Sequence, residues 1–240
     1  MIEIKKKDAP DGIVALKSRL MSMALTPEEE YKKLKGNLKK QVRNSLMEEQ
    51  GHICAYCMRT IPDDRVSVVT IPDVSIEHWI ARNSLGDSSM IGSGLGVEYT
   101  NLLAVCSGGR VPKGSRPGNE LTCDAKRGNT PLTVNPLDLA TLTSIYYKQN
   151  GEIASTDPEI ERDLVDTLNL NCEKFSALPD GRKQALAPVE ADIASLSTEE
   201  EMLVRCQELL QIYEAETDPK TPYCGIILWW LRDYIKALEE

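Results

Sequence analysis

The stretch that decides the fold runs from Cys54 to Asn129 and contains four motifs: Cys54-Ala55-Tyr56-Cys57, Ile76-Glu77-His78-Trp79, Asn101-Leu102-Leu103-Ala104-Val105-Cys106 and Cys123-Asp124-Ala125-Lys126-Arg127-Gly128-Asn129. The two residues between Cys54 and Cys57 let both thiolates reach one metal ion. With Cys106 and Cys123 they predict a closed four-thiolate zinc site, which is structural and not catalytic. The alternative is a set of buried free thiols, since free cysteine is among the most buried residue types.

Composition limits the class of protein. The chain of 240 residues, 41% of them hydrophobic, has room for one large domain or two small ones. It has no apolar run of the ~18 residues that a membrane span needs, and residues 1–5 lack the apolar core of a signal peptide. We therefore expect a cytoplasmic protein with no membrane partner. In that compartment thiols stay reduced, which favours metal ligands over disulfides.

The charge of the chain is unevenly distributed. The net charge of -9 by itself argues against binding to nucleic acid. Residues 1–45, however, carry +5, residues 46–150 carry -2, and residues 151–240 carry -12. A phosphate backbone would therefore meet the first two thirds of the chain. The acidic last third is better suited to solvent or to a basic partner protein.

Glu77 and His78 are the candidate catalytic pair. The alternation of Val74 to Ile80 predicts a strand that ends with a carboxylate beside an imidazole. Histidine can take a proton from water near pH 7, and a carboxylate is a hard ligand suited to Mg²⁺. A histidine at a strand end is often structural, but within the cysteine frame we expect His78 to be catalytic. The other histidine, His52, is expected to be structural or to support the site.

Five further residues are candidates for the same site. Asn101 precedes an apolar run and, taken alone, is typical of a turn or a cap. Asp124 follows a predicted zinc ligand, and either completes a catalytic metal site or caps a short helix. Three basic side chains are candidate contacts to phosphate oxygens: Arg82, Lys126 and Arg127. For Lys126 and Arg127 the alternative is plain solvation.

The segments on either side are predicted to be mainly helical. Thr26-Pro27-Glu28-Glu29 is typical of a helix start with a capping box, and the helix should reach about residue 50, weakened at Gly36. Its basic face is either solvated or follows phosphates beside the site, and comprises Lys32, Lys33, Lys35, Lys39, Lys40 and Arg43. Towards the other end, Asn150-Gly151 predicts a type I′ hairpin. Helices are expected over 157–170, from 197 with Ser197 as cap, and over 223–238. The last of these is either a core helix or a docking face for a partner.

The motifs CxYC, EHWxxRN, NLLxxC and CDxxxGN together resemble the HNH endonuclease superfamily, over roughly residues 50–136. More narrowly, the whole chain is similar to the HNH nucleases of Septu-type and retron-associated antiphage defence systems, the PtuB group. The features that fit this group are the short basic lead, Asn135-Pro136, the stretch Thr167 to Asn171 and the apolar last helix.

The resemblance implies a fold and roles for particular residues. The expected fold is α+β and mainly helical, with a ββα-metal finger around one Mg²⁺ or Mn²⁺ ion, stapled by the four-cysteine zinc site and flanked by helical segments. By motif, His78 would be the general base and Glu77 a metal ligand in the usual place of Asp. Asn101 would orient the histidine or the finger, and Asp124 would stand where Asn or His is usual. The segments implied are 1–50, the nuclease module 51–136, and 137–240.

The resemblance also implies a setting. The nuclease would act on DNA or RNA and be held inactive by a PtuA-like ATPase of the ABC/SMC type. In retron systems a reverse transcriptase and its RNA–DNA hybrid would join the assembly. The alternative from a different class is a zinc-ribbon module that binds nucleic acid or protein without cleaving it.

Overall fold

The computed structural model describes residues 1–62, 74–83, 90–110, 118–174 and 176–240. Its helices are α1 (Asp11–Leu20), α2 (Pro27–Tyr31), α3 (Gly36–Gln50), α4 (Cys123–Arg127), α5 (Pro158–Arg162), α6 (Leu178–Ala194), α7 (Glu199–Ala215) and α8 (Cys224–Glu239). Its strands are β1 (Val74–His78), β2 (Leu102–Cys106), β3 (Ile145–Tyr147) and β4 (Ile153–Ser155). The protein is therefore α+β and about half helical, which confirms the predicted class.

The stretch that carries the cysteine motifs folds as two strands followed by a helix. β1 pairs with β2 in antiparallel register, with Val74 opposite Cys106 and His78 opposite Leu102. Every residue of β2 is buried, because α3 covers this small sheet and α4 also contacts β2. The pairing brings the end of β1, with Glu77 and His78, to the start of β2.

Gln50, the last residue of α3, ties that helix to β2. Its side-chain oxygen accepts the backbone N–H of Ala104 at 2.8 Å, and its amide nitrogen donates to the carbonyl of Ala104 at 2.8 Å and to that of Ile53 at 3.0 Å. The amide thus pairs with β2 as a neighbouring strand would. It is 2% exposed, so water does not replace these bonds.

The basic N-terminal segment begins as predicted and then divides. Thr26 and Glu29 form the expected capping box of α2. The helix ends at Tyr31, and a new helix, α3, begins at Gly36, which has a φ of 57°. The single helix predicted to residue 50 is wrong, because the chain leaves α2 after Tyr31, is extended at Lys35, and starts α3 at a glycine in a left-handed conformation that most residues avoid.

The predicted hairpin of β3 and β4 is confirmed, but its turn type is different. A type I′ turn needs a positive φ at both Asn150 and Gly151, whereas positive φ in this turn is confined to Gly151, at 83°. Gly151 donates to the carbonyl of Lys148 at 2.9 Å, and Lys148 N–H donates to Glu152 at 2.9 Å. A glycine bulge therefore follows the turn, as in three-residue hairpin loops.

The C-terminal helices differ from prediction mainly at their ends. The helix expected over 157–170 is short, since α5 is followed by a π-helical turn, Asp163–Thr167. The cap of α7 is Thr198 with Glu201, one residue later than predicted. α8 buries one apolar face against α6 and α7, while Trp229 and Trp230 stay half-buried. The burial supports a core role for this helix, and its use as a docking face stays a prediction.

The start of α8 is bonded to the turn that carries Cys54 and Cys57. Tyr223 N–H donates to the carbonyl of Met58 at 2.8 Å, and Lys220 N–H donates to the carbonyl of Gly51 at 2.9 Å. These bonds join parts of the chain that are far apart in sequence.

The buried apolar side chains form one connected cluster that includes residues from all three predicted segments, from Met1 to Leu231. The boundaries at residues 50 and 136 remain predictions. Within the described part of the chain, none of the helices has the length and apolar character needed to cross a membrane.

The role of Gln50 gives a prediction about stability. We expect Gln50→Ala to lower the free energy of unfolding by about 1–3 kcal/mol, because the buried N–H of Ala104 loses its acceptor. Urea unfolding measures this loss. Gln41→Ala is the matched control, since Gln41 is exposed on the same helix and alanine favours helix. An equal effect of the two substitutions would contradict the role given to Gln50.

Candidate active site and metal centre

Three separate elements bring four cysteines together. Cys54 and Cys57 lie in the turn after α3, Cys106 ends β2, and Cys123 begins α4. All four are buried, and their sulfur atoms lie within 4.8 Å of one another. The prediction that these four cysteines form one candidate metal site is confirmed.

The spacing of the sulfur atoms fits a tetrahedral zinc ion. The Sγ–Sγ distances are 3.9 Å for Cys54 and Cys123, 3.8 Å for Cys57 and Cys106, and 3.8 Å for Cys106 and Cys123. A tetrahedron with Zn–S bonds of about 2.3 Å has edges of about 3.8 Å. These three distances match the edges expected around one zinc ion, and the closeness of all four buried thiols favours a shared ion over separate free thiols.

The turn that holds the first two cysteines is set by its backbone. Cys54 N–H donates to the carbonyl of Arg59 and Met58 N–H donates to the carbonyl of Cys54, each at 2.9 Å, while Met58 has a φ of 60°. The guanidinium of Arg59 lies near the sulfur atoms: burial opposes its charge, but the Cys57 and Cys106 thiolates raise its pKa. A cation here offsets the negative charge of four thiolates around one divalent ion.

The cysteine cluster gives a prediction about metal content. We expect about one tightly bound zinc per chain, and Cys123→Ser should lose it and unfold the module, since zinc affinity acts as folding energy in such sites. Elemental analysis and thermal unfolding measure both effects. Cys206→Ser is the control, because Cys206 is an equally buried thiol outside the cluster. Full zinc content in the Cys123 variant would show that the cluster does not hold the ion.

Glu77 lies at the end of β1 in a buried polar network. It is 7% exposed, and its Oε1 accepts a bond from the Tyr56 hydroxyl at 3.3 Å and an ion pair from Arg127 Nη1. Burial and then the charge of Asp124 raise the pKa of Glu77 to about 8, against the pull of Arg127. The Tyr56 hydroxyl and Arg127 Nη1 both bond to Oε1 of Glu77, so neither of them occupies Oε2.

Asp124, in the first turn of α4, is the electrostatic neighbour that raises this pKa. Its Oδ2 accepts a bond from Arg110 Nη2 at 2.8 Å. With its pKa raised by burial and by this neighbour, Glu77 retains a proton near neutral pH, and a divalent cation can take that proton's place. The donor set of Glu77 and Asp124, hard oxygens from a strand and a helix, is the kind that holds Mg²⁺ or Mn²⁺.

His78 is buried in a single tautomer. Its Nε2 lies 3.0 Å from the carbonyl oxygen of Gly96, and since a carbonyl only accepts, Nε2 carries the proton and Nδ1 is the basic nitrogen. Burial lowers the pKa of His78 to about 4, so the ring is neutral at pH 7. The ring of Tyr31 meets it edge to face, with centroids 4.9 Å apart. His78 is 2% exposed.

A buried glutamate that sequence reasoning missed supports this arrangement. Glu30 of α2 accepts the backbone N–H of Gly94 at 2.8 Å and of Gly96 at 2.9 Å, and is fully buried. A Cβ on Gly96 would lie 2.0 Å from the carbonyl oxygen of Pro27, so only glycine lets this loop approach α2. Glu30 thus fixes the loop whose carbonyl holds His78. In sequence it stands among three consecutive glutamates, which gave no sign of which one is buried.

Asn101 acts on the backbone just after His78. Its Oδ1 accepts the N–H of Ile80 at 2.7 Å and its Nδ2 donates to the carbonyl of Ile80 at 3.1 Å. Trp79 N–H also donates to the carbonyl of Asn101 at 3.0 Å. The residue therefore fixes the end of β1 against the start of β2 through main-chain atoms.

The three predicted phosphate contacts have different surroundings. Arg127 is 3% exposed and donates to the carbonyls of His78 at 3.1 Å and Trp79 at 2.5 Å besides Glu77. Its geometry is that of a buried structural cation and does not support a role in binding phosphate. Lys126 is half-buried, with no ion pair to the residues that the structure describes. Arg82 is ion-paired with Glu28 at 2.6 Å.

Comparison with models of known protein families finds no match, and comparison with curated proteins finds none either. Within the described residues, the geometry brings Glu77, His78 and Asp124 to one region beside the cysteine cluster. A functional conclusion therefore depends on the chemistry of these side chains.

The burial of His78 gives a prediction about its protonation. Since burial lowers its pKa to about 4, we expect the ring to stay neutral, with the proton on Nε2, from pH 8 down to about pH 5. Nitrogen-15 NMR of histidine-labelled protein reports the tautomer directly, and only two rings contribute. A His52→Asn variant assigns the signals, because Asn tolerates the positive φ of His52. A charged His78 ring at pH 6 would contradict this geometry.

Proposed function

We propose that the chain is a metal-dependent endonuclease of the HNH type that hydrolyses phosphodiester bonds in nucleic acid. The observation that carries the proposal is His78: a neutral imidazole with Nε2 held by the Gly96 carbonyl, placed directly after Glu77 at the end of β1. This tautomer leaves Nδ1 to accept a proton. A general base needs this combination of a fixed ring and an unprotonated nitrogen.

The residues divide the work between structure and chemistry. The four cysteines would hold zinc and fix β2 and α4 relative to each other. Glu77 and Asp124 would hold a Mg²⁺ or Mn²⁺ ion, which when bound supplies polarisation of the scissile phosphate and stabilises the leaving oxygen. His78 takes a proton from the attacking water at Nδ1. Asn101 fixes the main chain that follows His78, and Arg127 offsets the charge of Glu77.

The burial of His78 is part of the proposal. At 2% exposure the ring is closed off from water and substrate, so reaction requires its surroundings to open. A closed resting site suits an effector that a partner controls. We accordingly propose that the protein serves antiphage defence in the cytoplasm, with a PtuA-like ATPase of the ABC/SMC type, and in a retron setting also a reverse transcriptase with its RNA–DNA hybrid. The support for these partners is the resemblance of the motifs.

A second candidate is a zinc-ribbon module that binds nucleic acid or protein without cleaving. Two observations favour it: the ion pair of Arg127 with Glu77 places a built-in cation beside the carboxylate that would bind the catalytic ion, and His78 is buried. The cysteine cluster is compatible with either candidate.

Substitution of His78 tests the proposal. We expect His78→Asn to lower the rate of Mg²⁺- or Mn²⁺-dependent cleavage by about 10²- to 10⁴-fold, the usual contribution of a general base. Zinc content and thermal unfolding should be retained. Cleavage is measured on plasmid DNA and on RNA, with the protein alone and with the products of neighbouring genes. His52→Asn is the matched control and should cleave as the wild type does, because His52 lies outside the site and bonds to Asp218.

Two results would overturn the proposal. Equal cleavage by wild type and His78→Asn would remove His78 from the chemistry. Tight binding of nucleic acid by the wild type without cleavage in any of these assemblies and metals would favour the zinc-ribbon candidate.

A further inference from the structure

Basic side chains surround the tyrosine that contacts His78. The ring of Tyr31 lies edge-on to the imidazole, and the same ring is covered by Arg82, whose Cζ is 4.3 Å from its centroid, and by Lys39, whose Nζ is 4.8 Å away. Both contacts are within the range of cation–π attraction. Two positively charged side chains therefore contact the same ring that contacts the proposed general base.

Two more lysines continue this surface. Glu28 accepts an ion pair from Arg82 at 2.6 Å and from Lys32 at 3.6 Å, so Lys32 adjoins Arg82. Lys35 lies one helical turn before Lys39, whose N–H bonds to the carbonyl of Lys35 at 3.4 Å. We refer to the four cations together as the Tyr31 basic face: Lys32, Lys35, Lys39 and Arg82.

The charge of this face is only partly balanced by nearby acids. Glu28 is ion-paired with Arg82 and Lys32, and Glu29 interacts electrostatically with Lys32, which leaves four cations against two anions. Lys32, Lys35 and Lys39 are exposed, so a ligand can reach them. The chain as a whole has a net charge of -9, and a basic surface in an acidic protein attracts anions locally.

We propose that the Tyr31 basic face binds the sugar-phosphate backbone of the nucleic acid that His78 acts on. The three lysines contact successive phosphates, and Arg82, held by Glu28 and Tyr31, keeps the surface positive at the edge of the site. The proposal rests on the proposed function for its link to cleavage, but binding itself is measured separately. It adopts the phosphate-binding interpretation of the basic segment, because the contact of Tyr31 with His78 connects that segment to the proposed site.

The test is a salt titration of binding. We compare a variant with Lys32→Gln, Lys35→Gln and Lys39→Gln with a control that carries Lys148→Gln, Lys183→Gln and Lys236→Gln. The control lysines are exposed, each ion-paired within its own segment, and the change in net charge is the same. The zinc-loaded full chain, without added Mg²⁺ or Mn²⁺, is titrated with fluorescent duplex DNA, duplex RNA and single strands between 50 and 200 mM KCl.

The expected result is a loss in both affinity and salt dependence. Each phosphate contact contributes about 0.9 to the slope of log K against log salt for duplex DNA, and about 0.7 for single strands. Loss of three contacts should lower the slope by about 2–3 and weaken binding at least about 10-fold near 100 mM salt. The control should keep the wild-type slope. The probe that binds most tightly identifies DNA or RNA as the substrate class.

The failures of the two proposals are distinguishable. Equal losses in the two triple variants would show a general effect of net charge and overturn the binding face. Absence of binding to every probe would overturn it as well, whatever the cleavage assays show. A loss of affinity and salt dependence confined to the variant of the Tyr31 basic face would support that face as the binding surface. If the same protein never cleaves, the result would overturn the nuclease proposal.

Discussion

Four sulfur atoms within 4.8 Å of one another are the constraint on which the rest of the site depends. The cysteines lie in the turn after α3, at the end of β2 and at the start of α4, so one cluster connects three parts of the chain. The neighbours of Glu77 come from the same points: Tyr56 lies between the first two cysteines, while Asp124 directly follows Cys123 and shares α4 with Arg127. Loss of the cluster would therefore scatter the groups that surround Glu77, although none of the cysteines contacts substrate in the proposed mechanism.

The second constraint is the cost of burying charge. A carboxylate out of water needs donors, and Glu77 receives them from Tyr56 and Arg127 while Asp124 raises its pKa. His78 avoids the same cost by remaining neutral. The result is a site in which one proton and one guanidinium occupy the region proposed for a divalent ion. In the proposed nuclease, these side chains would hold the resting site inactive, and activation would require an exchange of cations together with an opening around His78.

Sequence reasoning succeeded where local spacing controls the outcome. The two-residue spacing of Cys54 and Cys57 indicates that both thiols can reach one metal ion. Thr26 and Glu29 cap a helix by hydrogen bonds to the local backbone. Both features could therefore be predicted from the sequence. Glu30 and Arg127 were not, because a buried charge and a solvated one look the same in sequence and only tertiary contacts separate them. The type of the turn at Gly151 and the position of the cap at Thr198 were predicted wrongly, because they depend on small differences in backbone φ and register. The positions of His78 and Glu77 near Asp124 depend on the long-range pairing of β1 with β2 and on the packing of α4 against β2. The resemblance implied this arrangement through the expected ββα finger, whereas composition did not.

The two hydrogen bonds between the cysteine turn and the chain just before α8 have a mechanical consequence. Tyr223 N–H and Lys220 N–H are bonded to the carbonyls of Met58 and Gly51, and a Cβ on Gly225 would lie 2.7 Å from the sulfur of Met58. α8 cannot shift along its axis without breaking these bonds or dragging the turn with it. A displacement of the last helix along its axis would therefore be transmitted to the turn that carries Cys54 and Cys57.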